Sequence, residues 1–227
     1  MVRENKVWYL RRSRLFERVG EDVLSGCNHL FTILERGRRT MLFEQGDPAG
    51  TVYFLKRGRV RLSRVTADGK EVTIAILGQG DVFGEEALFG ETERKTIATV
   101  IEDALVCTSR AQDLFGLIAT QPAIALNMAR YLHEQRDEAI STIEDLAALK
   151  VPDRIVRLFQ RLADEHGVRE QNGNVRITLK LTHADIASLV GSTRETVSVE
   201  VGKLRDAGRL TMAGAEFVVL QAAAIGA

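Results

Sequence analysis

Two adjacent charged side chains near the C-terminal end of the sequence could read nucleic-acid bases. Arg194 can donate two hydrogen bonds to O6 and N7 of a guanine, and Glu195 can accept one from N4 of a cytosine. On a helix, Ser198, Val199 and Lys203 would face solvent on the same side as this pair. The segment therefore predicts a surface that recognises DNA.

Presenting this surface requires two short helices joined by a tight turn. Thr182 can cap the first helix, and Gly191 can supply the turn. The pattern Ser192-x-x-Glu195 predicts a capping box, with a second helix that begins at Thr193.

The second helix has an apolar side that would pack on the first. Val197, Val201 and Leu204 recur at helical spacing, so they are expected to be buried. This arrangement is a helix-turn-helix, whose second helix contacts base edges. The residues suited to phosphate contacts are Thr182, His183 and Thr193.

A second set of chemistry-bearing residues occupies segment 83–96. Gly84 permits close approach of the backbone to a ligand, and a short helix after it would offer N–H groups to a phosphate. Glu85 can accept from a ribose hydroxyl, a basic pair can neutralise a phosphate, and a threonine can donate its hydroxyl. The candidate residues are Gly84, Glu85, Glu86, Ala87, Arg94, Lys95 and Thr96.

The surrounding sequence predicts an α+β protein. Glycines recur about every ten residues between 37 and 90 and separate short apolar runs, which is typical of a β-roll or jelly roll. A further pair of strands is expected over 96–100 and 105–108.

A long helix should follow the roll, from residue 122 to 150. It is long enough to pair with its own copy in a homodimer. Val151-Pro152-Asp153 should end it, followed by a helix over 153–165, a loop over 166–174, a strand over 175–181 and a hairpin with Gly214 at its tip. The expected domains are 1–121 (effector-sensing roll with an N-terminal helix), 122–150 (dimerisation helix) and 151–227 (winged helix-turn-helix).

Two motifs carry a family resemblance, which extends over roughly residues 28–220. Gly191-Ser192-Thr193-Arg194-Glu195-Thr196-Val197 resembles the recognition helix of the cyclic AMP receptor protein and fumarate–nitrate reductase regulator (CRP/FNR) family. Phe83-Gly84-Glu85-Glu86-Ala87-Leu88-Phe89 resembles its phosphate-binding cassette. The resemblance implies a DNA-binding transcription activator, a homodimer on a palindromic site, that is controlled by cyclic AMP. It also implies contact with RNA polymerase, for which loop 165–174 is the expected surface.

Residue by residue, the resemblance assigns Arg194 and Glu195 to guanine and cytosine, and Ser198 to a base-contacting position. Val199 departs, because the family commonly has Arg there. A valine can offer only apolar contact, for instance to a thymine methyl group. One base of the half-site is therefore expected to differ.

The effector site departs from the family pattern as well. The cassette normally ends Arg-Ser or Arg-Thr, whereas this chain has Arg94-Lys95-Thr96, so either basic residue could meet the phosphate. On the long helix the resemblance assigns Gln135, Ala139 and Ile140 to the effector. The last two replace the Thr-Ser pair that faces adenine in cyclic AMP receptors. Three alternatives remain open: cyclic AMP, another ligand, or no effector.

Composition excludes several other classes of protein. The 227 residues carry 31 basic and 31 acidic side chains, so the whole chain is not polybasic. Two separated cysteines and four scattered histidines predict no metal site, haem or iron–sulfur cluster. A metal-dependent β-roll enzyme would need clustered histidines, so we expect no enzyme. No stretch has the roughly 20 apolar residues of a membrane helix, so we expect a cytoplasmic protein without membrane contact.

Overall fold

The computed structural model describes residues 10–214 and 216–220, and the chain forms two compact units, 1–137 and 138–227. The dividing point falls within the long helix. Residues 1–9, 215 and 221–227, which the expected domains include, lie outside the described residues. Each unit is described by itself below.

The first unit is built on an antiparallel six-stranded sheet, as expected for the roll. The strand order is β1-β6-β3-β4, with β2 paired to β6 and β5 paired to β3. The strands are β1 (Phe31–Arg36), β2 (Met41–Phe43), β3 (Thr51–Val65), β4 (Glu71–Leu77), β5 (Val82–Phe83) and β6 (Ile97–Arg110).

The predicted strand pair over 96–100 and 105–108 is wrong, because β6 runs through both segments as one strand. It pairs with β3 from Ser63 opposite Ile97 to Thr51 opposite Arg110. The register of this pair shifts at three points between Leu55 and Val60, as at β-bulges, but the strand is not interrupted by a turn. The interruption in the apolar pattern therefore coincides with irregularities in the pairing of the two strands and not with a turn.

Helices close the ends of the roll. They are 3₁₀ turns at Arg14–Phe16, Asn28–Leu30 and Glu85–Phe89, together with α1 (Glu21–Gly26), α2 (Ala111–Thr120) and α3 (Pro122–Ala148), which extends into the second unit. Phe16, Phe31 and Phe54 form one core, with ring centroids 5.5–5.6 Å apart. Tyr53 stacks on Phe83 at 5.0 Å in a second core.

The long helix is close to the predicted length and begins at Pro122, which suits a first helical turn. Its buried residues include Ile124, Met128 and Tyr131, all in the first unit. Several large apolar side chains on it are exposed: Leu126, Ile140, Ile143 and Leu146.

Among its described residues, the second unit combines the end of α3 and three further helices with a four-stranded antiparallel sheet of order β7-β8-β10-β9. A break follows the long helix as predicted, but it falls at residues 149–150, and Val151-Pro152-Asp153 form the first turn of the next helix, whose N-cap position is Lys150. The elements are α4 (Val151–His166), β7 (Gly167–Arg169), β8 (Val175–Ile177), α5 (His183–Leu189), α6 (Arg194–Asp206), β9 (Leu210–Ala213) and β10 (Glu216–Val219).

Two further boundaries differ from the sequence prediction in this unit. Segment 166–174 is not a plain loop, since β7 pairs with β8 and makes a hairpin. The predicted strand over 175–181 ends at Ile177. Thr178 instead donates from its N–H and its hydroxyl to the carbonyl oxygen of His166, at 3.1 Å each. No helix among the described residues is long and apolar enough to span a bilayer.

Candidate DNA-binding surface and effector site

The helix-turn-helix is held together by buried apolar side chains and a capped first helix. Ile186 of α5 and Val197 of α6 are fully buried, and Val201 is nearly so. Thr182 Oγ1 accepts from the N–H of Asp185 at 3.2 Å, while the Asp185 carboxylate accepts from the N–H of Thr182 at 2.9 Å. The predicted cap at Thr182 is confirmed, and it is a reciprocal capping box.

The predicted capping box at Ser192 and Glu195 is wrong. Helix α6 begins at Arg194, and Thr193 is its N-cap, with Oγ1 accepting from the N–H of Thr196 at 3.2 Å. The N–H of Ser192 donates to Ala187 at 2.8 Å, which commits Ser192 to the turn. Glu195 is therefore not needed for capping.

The outer face of α6 presents the predicted base-reading side chains to solvent. Arg194, Glu195 and Ser198 are exposed, and Val199 is 57% exposed. Among the described residues, neither Arg194 nor Glu195 has a hydrogen-bond or ion-pair partner. Their donors and acceptors are therefore available to a ligand.

The other residues predicted to contact DNA differ in the bonds that they already make within the chain. Lys203 is exposed and pairs with Glu200 at 2.7 Å. Thr182 and Thr193 are exposed, although both hydroxyls already serve as caps. His183 is half-buried.

Sequence reasoning missed Arg154, which supports the turn of the helix-turn-helix from α4. Its guanidinium donates to the carbonyl oxygens of Leu149 and Gly191. A Cβ atom on Gly191 would lie 2.7 Å from Cδ2 of Leu146, so the glycine permits this close packing. Gly191 is the one feature of the sequence that indicates this close packing at the turn.

In the roll, Arg94 is the basic residue that lies beside Gly84. The Arg94 side chain donates from Nη1 to the carbonyl oxygen of Gly84 at 3.1 Å and from Nη2 to that of Thr51 at 2.6 Å. Its guanidinium lies 4.3 Å from the ring centroid of Phe43 and 5.6 Å from that of Tyr53. Sequence reasoning missed Thr51, Phe43 and Tyr53, because nothing in the sequence links them to Arg94.

Gly84 is required by this arrangement. Its φ is +74°, and a Cβ atom would lie 2.7 Å from Arg94 Nη1 and 2.9 Å from the oxygen of Thr51. The expected close approach at Gly84 therefore includes an approach to the protein's own arginine.

Two carboxyl groups stand next to the arginine on the 3₁₀ turn Glu85–Phe89. Glu86 Oε1 accepts from Arg94 Nη1 at 3.0 Å. Burial raises the pKa of Glu85, and the charge of Glu86 adds to that effect, whereas hydrogen bonding and Arg94 oppose it. Ala87 is half-buried on the same turn.

The other predicted effector residues are not all gathered at this point. Lys95 is exposed and forms an ion pair with Glu91 at 3.0 Å, so the geometry favours Arg94 over Lys95 as the buried cation. Thr96 and Gln135 are half-buried in the first unit. Ala139 and Ile140 are exposed and belong to the second unit.

A roll that holds a buried arginine at a glycine turn, followed by a capped helix-turn-helix, defines a DNA-binding regulator with a cyclic-nucleotide-type domain. Residues 29–121 match the cyclic nucleotide-binding domain family, and residues 153–225 match the Crp-like helix-turn-helix domain. The chain belongs to the CRP/FNR family of transcription regulators.

Three relatives illustrate the similarity. The CRP-like cAMP-activated global transcriptional regulator of Mycobacterium tuberculosis is 28% identical over 210 residues, which cover 92% of this chain and 93% of the relative. The global nitrogen regulator of Synechocystis is 31% identical and covers 87% of this chain and 86% of the relative. The structure of the c-di-GMP responsive global regulator CLP of Xanthomonas campestris has a TM-score of 0.75 and 25% identity, covering 88% and 99% of the two chains.

Proposed function

We propose that this protein is a homodimeric transcription activator that binds a palindromic DNA site and is controlled by cyclic AMP in its roll. The observation that carries the proposal is the exposed, unpartnered pair Arg194 and Glu195 in the first turn of a capped helix. An arginine and a carboxylate in this position can read a guanine and a neighbouring cytosine in the major groove.

The long helix supports the dimer. Ile140, Ile143 and Leu146 lie exposed within two turns of α3, and Leu126 adds a fourth exposed apolar side chain. Isolated apolar residues on a surface are ordinary, whereas a stripe along one helix indicates a helix partner. A second copy of α3 would cover the stripe and set the two recognition helices about one turn of DNA apart.

The nucleotide effector is supported by the site around Arg94 and Gly84. A buried guanidinium with a free donor suits a phosphodiester. The relatives named above include one called cAMP-activated and one titled c-di-GMP responsive, so cyclic nucleotides occur as effectors among them. Cyclic AMP would favour the DNA-binding conformation by its difference in affinity between two states of the protein.

A regulator with another ligand or none is the second candidate. Ala139 and Ile140 have no side-chain groups that could hydrogen-bond to adenine, and Arg94 already has a carboxylate partner in Glu86. We further propose that the protein acts in the cytoplasm and contacts RNA polymerase through segment 165–174, which includes the turn between β7 and β8.

A mobility-shift assay with and without cyclic AMP tests these proposals. On a palindromic duplex enriched from random DNA, the protein should give one dimeric complex whose affinity rises with the nucleotide. Specific binding that ignores millimolar cyclic AMP would favour the second candidate. Binding with no preference over random duplexes would contradict both.

A further inference from the structure

Arg94 is a buried cation with one carboxylate partner in the described chain. The residue is 2% exposed, and a guanidinium stays charged even when buried. The oxygens of Gly84 and Thr51 are neutral backbone acceptors, so the negative charge comes from Glu86, whose Oε1 lies 3.0 Å from Nη1. Glu86 therefore supplies the counter-charge that a buried cation requires.

Glu86 is held less firmly than the other partners of Arg94. Its side chain is 21% exposed, so the carboxylate can regain hydration by rotating outward. The backbone acceptors cannot move in this way, because they belong to strand β3 and to the turn at Gly84. Of the three hydrogen-bond partners, Glu86 is the one that a ligand could replace.

The guanidinium also retains a donor for a ligand. Within the described residues, Nε of Arg94 is buried and has no hydrogen-bond partner. A buried donor without an acceptor is uncommon in proteins and calls for one. An incoming anion could accept from Nε, or it could take the place of the Glu86 carboxylate at Nη1, and only the second position puts it in competition with Glu86.

A phosphodiester matches this requirement and competes with Glu86 for it. It carries one negative charge and two oxygens that suit the planar fork of an arginine. Phosphate and carboxylate together would place two like charges on one guanidinium, beside a second carboxyl group at Glu85. Binding of the anion therefore requires Glu86 to leave or to lose its charge.

We propose that Glu86 is an internal competitor for the effector: its carboxylate occupies Arg94 in the free protein and is displaced by the phosphodiester of a cyclic nucleotide. The inference rests on the proposed role of the roll as a nucleotide site. It makes residue 86 the determinant of how tightly an anionic ligand binds. The binding free energy of the effector then depends on the difference in free energy between two ion pairs of Arg94, one with the phosphodiester and one with Glu86.

Glu86→Gln tests the proposal in the full-length protein, because it keeps the shape of the side chain and removes its charge. Calorimetric titration should show that cyclic AMP binds to this variant about tenfold to a hundredfold more tightly than to the wild-type protein. The affinity for adenosine, which lacks the phosphate, should be the same in the variant and in the wild-type protein.

Glu91→Gln is the matched control, since it makes the same change of charge in the same segment. Glu91 pairs with the exposed Lys95 instead of with Arg94, so its loss should leave the affinity nearly unchanged.

Three results would overturn the proposal: equal affinities in the wild-type protein and Glu86→Gln, an equal gain in both variants, or no heat with millimolar cyclic AMP in either protein. Sequence-specific DNA binding is measured separately, with and without cyclic AMP, so failure of the regulator function would appear as absence of specific binding under both conditions and not in the calorimeter.

Discussion

Arg154 donates a hydrogen bond from Nη2 to the carbonyl oxygen of Gly191 over 3.2 Å. The same guanidinium reaches the oxygen of Leu149 at 3.0 Å, just beyond the last residue of α3. One side chain on α4 thus ties the end of the long helix to the turn of the helix-turn-helix. The position of α6 within the second unit depends on this link.

Replacement of Arg154 should therefore destabilise the DNA-binding unit. Arg154→Met removes the donors and leaves two carbonyl oxygens without them, so we expect a loss of about 1–3 kcal/mol in the free energy of unfolding. Urea denaturation followed by circular dichroism measures this loss.

Arg157→Met provides the comparison on the same helix. Arg157 pairs with Asp145 at 2.6 Å, but its side chain is more than half exposed. Such pairs contribute at most about 1 kcal/mol. Equal losses in the two variants would contradict the role assigned to Arg154.

Gly84→Ala tests the close approach of Arg94 to the glycine turn. The new methyl group would meet Arg94 Nη1 and the Thr51 oxygen, so the free energy of unfolding should fall by about 1–3 kcal/mol more than positive φ alone explains. Gly90→Ala isolates the backbone contribution, since Gly90 has φ +86° and open space around its Cβ position. In thermal denaturation, the melting temperature of Gly84→Ala should be well below that of Gly90→Ala. Equal melting temperatures would argue against the close approach of Arg94 to Gly84.

The buried side chain of Lys56 is expected to make the free energy of unfolding depend on pH. It is 4% exposed, and burial lowers its pKa from 10.5 to about 8. Between these values the unfolded chain binds more protons than the folded one, so stability rises with pH through this window. The loss of stability caused by burying the charged form of Lys56 is fully present below about pH 8.

Comparison of Lys56→Met with the wild-type protein measures the size of this penalty. The stability of the variant relative to wild type should fall by about 3 kcal/mol as the pH rises from 8 to 10.5. Lys70→Met, at an exposed position, makes the same substitution and serves as the control. Denaturant melts across this pH range check both, and a difference for Lys56→Met that is independent of pH would refute the assignment.

The exposed stripe of α3 predicts an effect on assembly. Ile143 is 64% exposed in the single chain, so Ile143→Lys should cost no folding stability but should place two charges in a helix pair. Sedimentation velocity should report a monomer for this variant and a dimer for the wild-type protein. Glu138→Lys, on the opposite side of the helix, should remain a dimer. A dimeric Ile143→Lys would locate the interface elsewhere.

The sequence was informative where the determinants are local. The cap at Thr182, the helical spacing of Val197 and Val201 and the turn at Gly191 all lie within about twenty residues, and each was predicted. The predicted start of α6 is one residue too early, because Ser192 and Thr193 are both residues that favour the N-cap position. The choice between them depends on the bond from Ser192 to Ala187, which closes the turn.

Contacts between distant segments could not be predicted in the same way. Arg94 meets Thr51 of β3 and Phe43 of β2, and no spacing in the sequence encodes that approach. Glu86 was assigned to the effector, yet its pairing with Arg94 became visible only in three dimensions. The bulges that keep β6 continuous arise from the twist of the sheet for the same reason.

Arg194→Ala, assayed by fluorescence anisotropy on two duplexes, tests the central claim most directly. One duplex carries the enriched palindrome and the other a scrambled sequence of the same length. Arg205→Ala serves as the control, since Arg205 is exposed in the last turn of the same helix. We predict that Arg194→Ala loses about 1–3 kcal/mol of binding free energy on the palindrome and little on the scrambled duplex. Equal losses on both duplexes would show that Arg194 contacts only phosphates, and would contradict the base-reading role of α6.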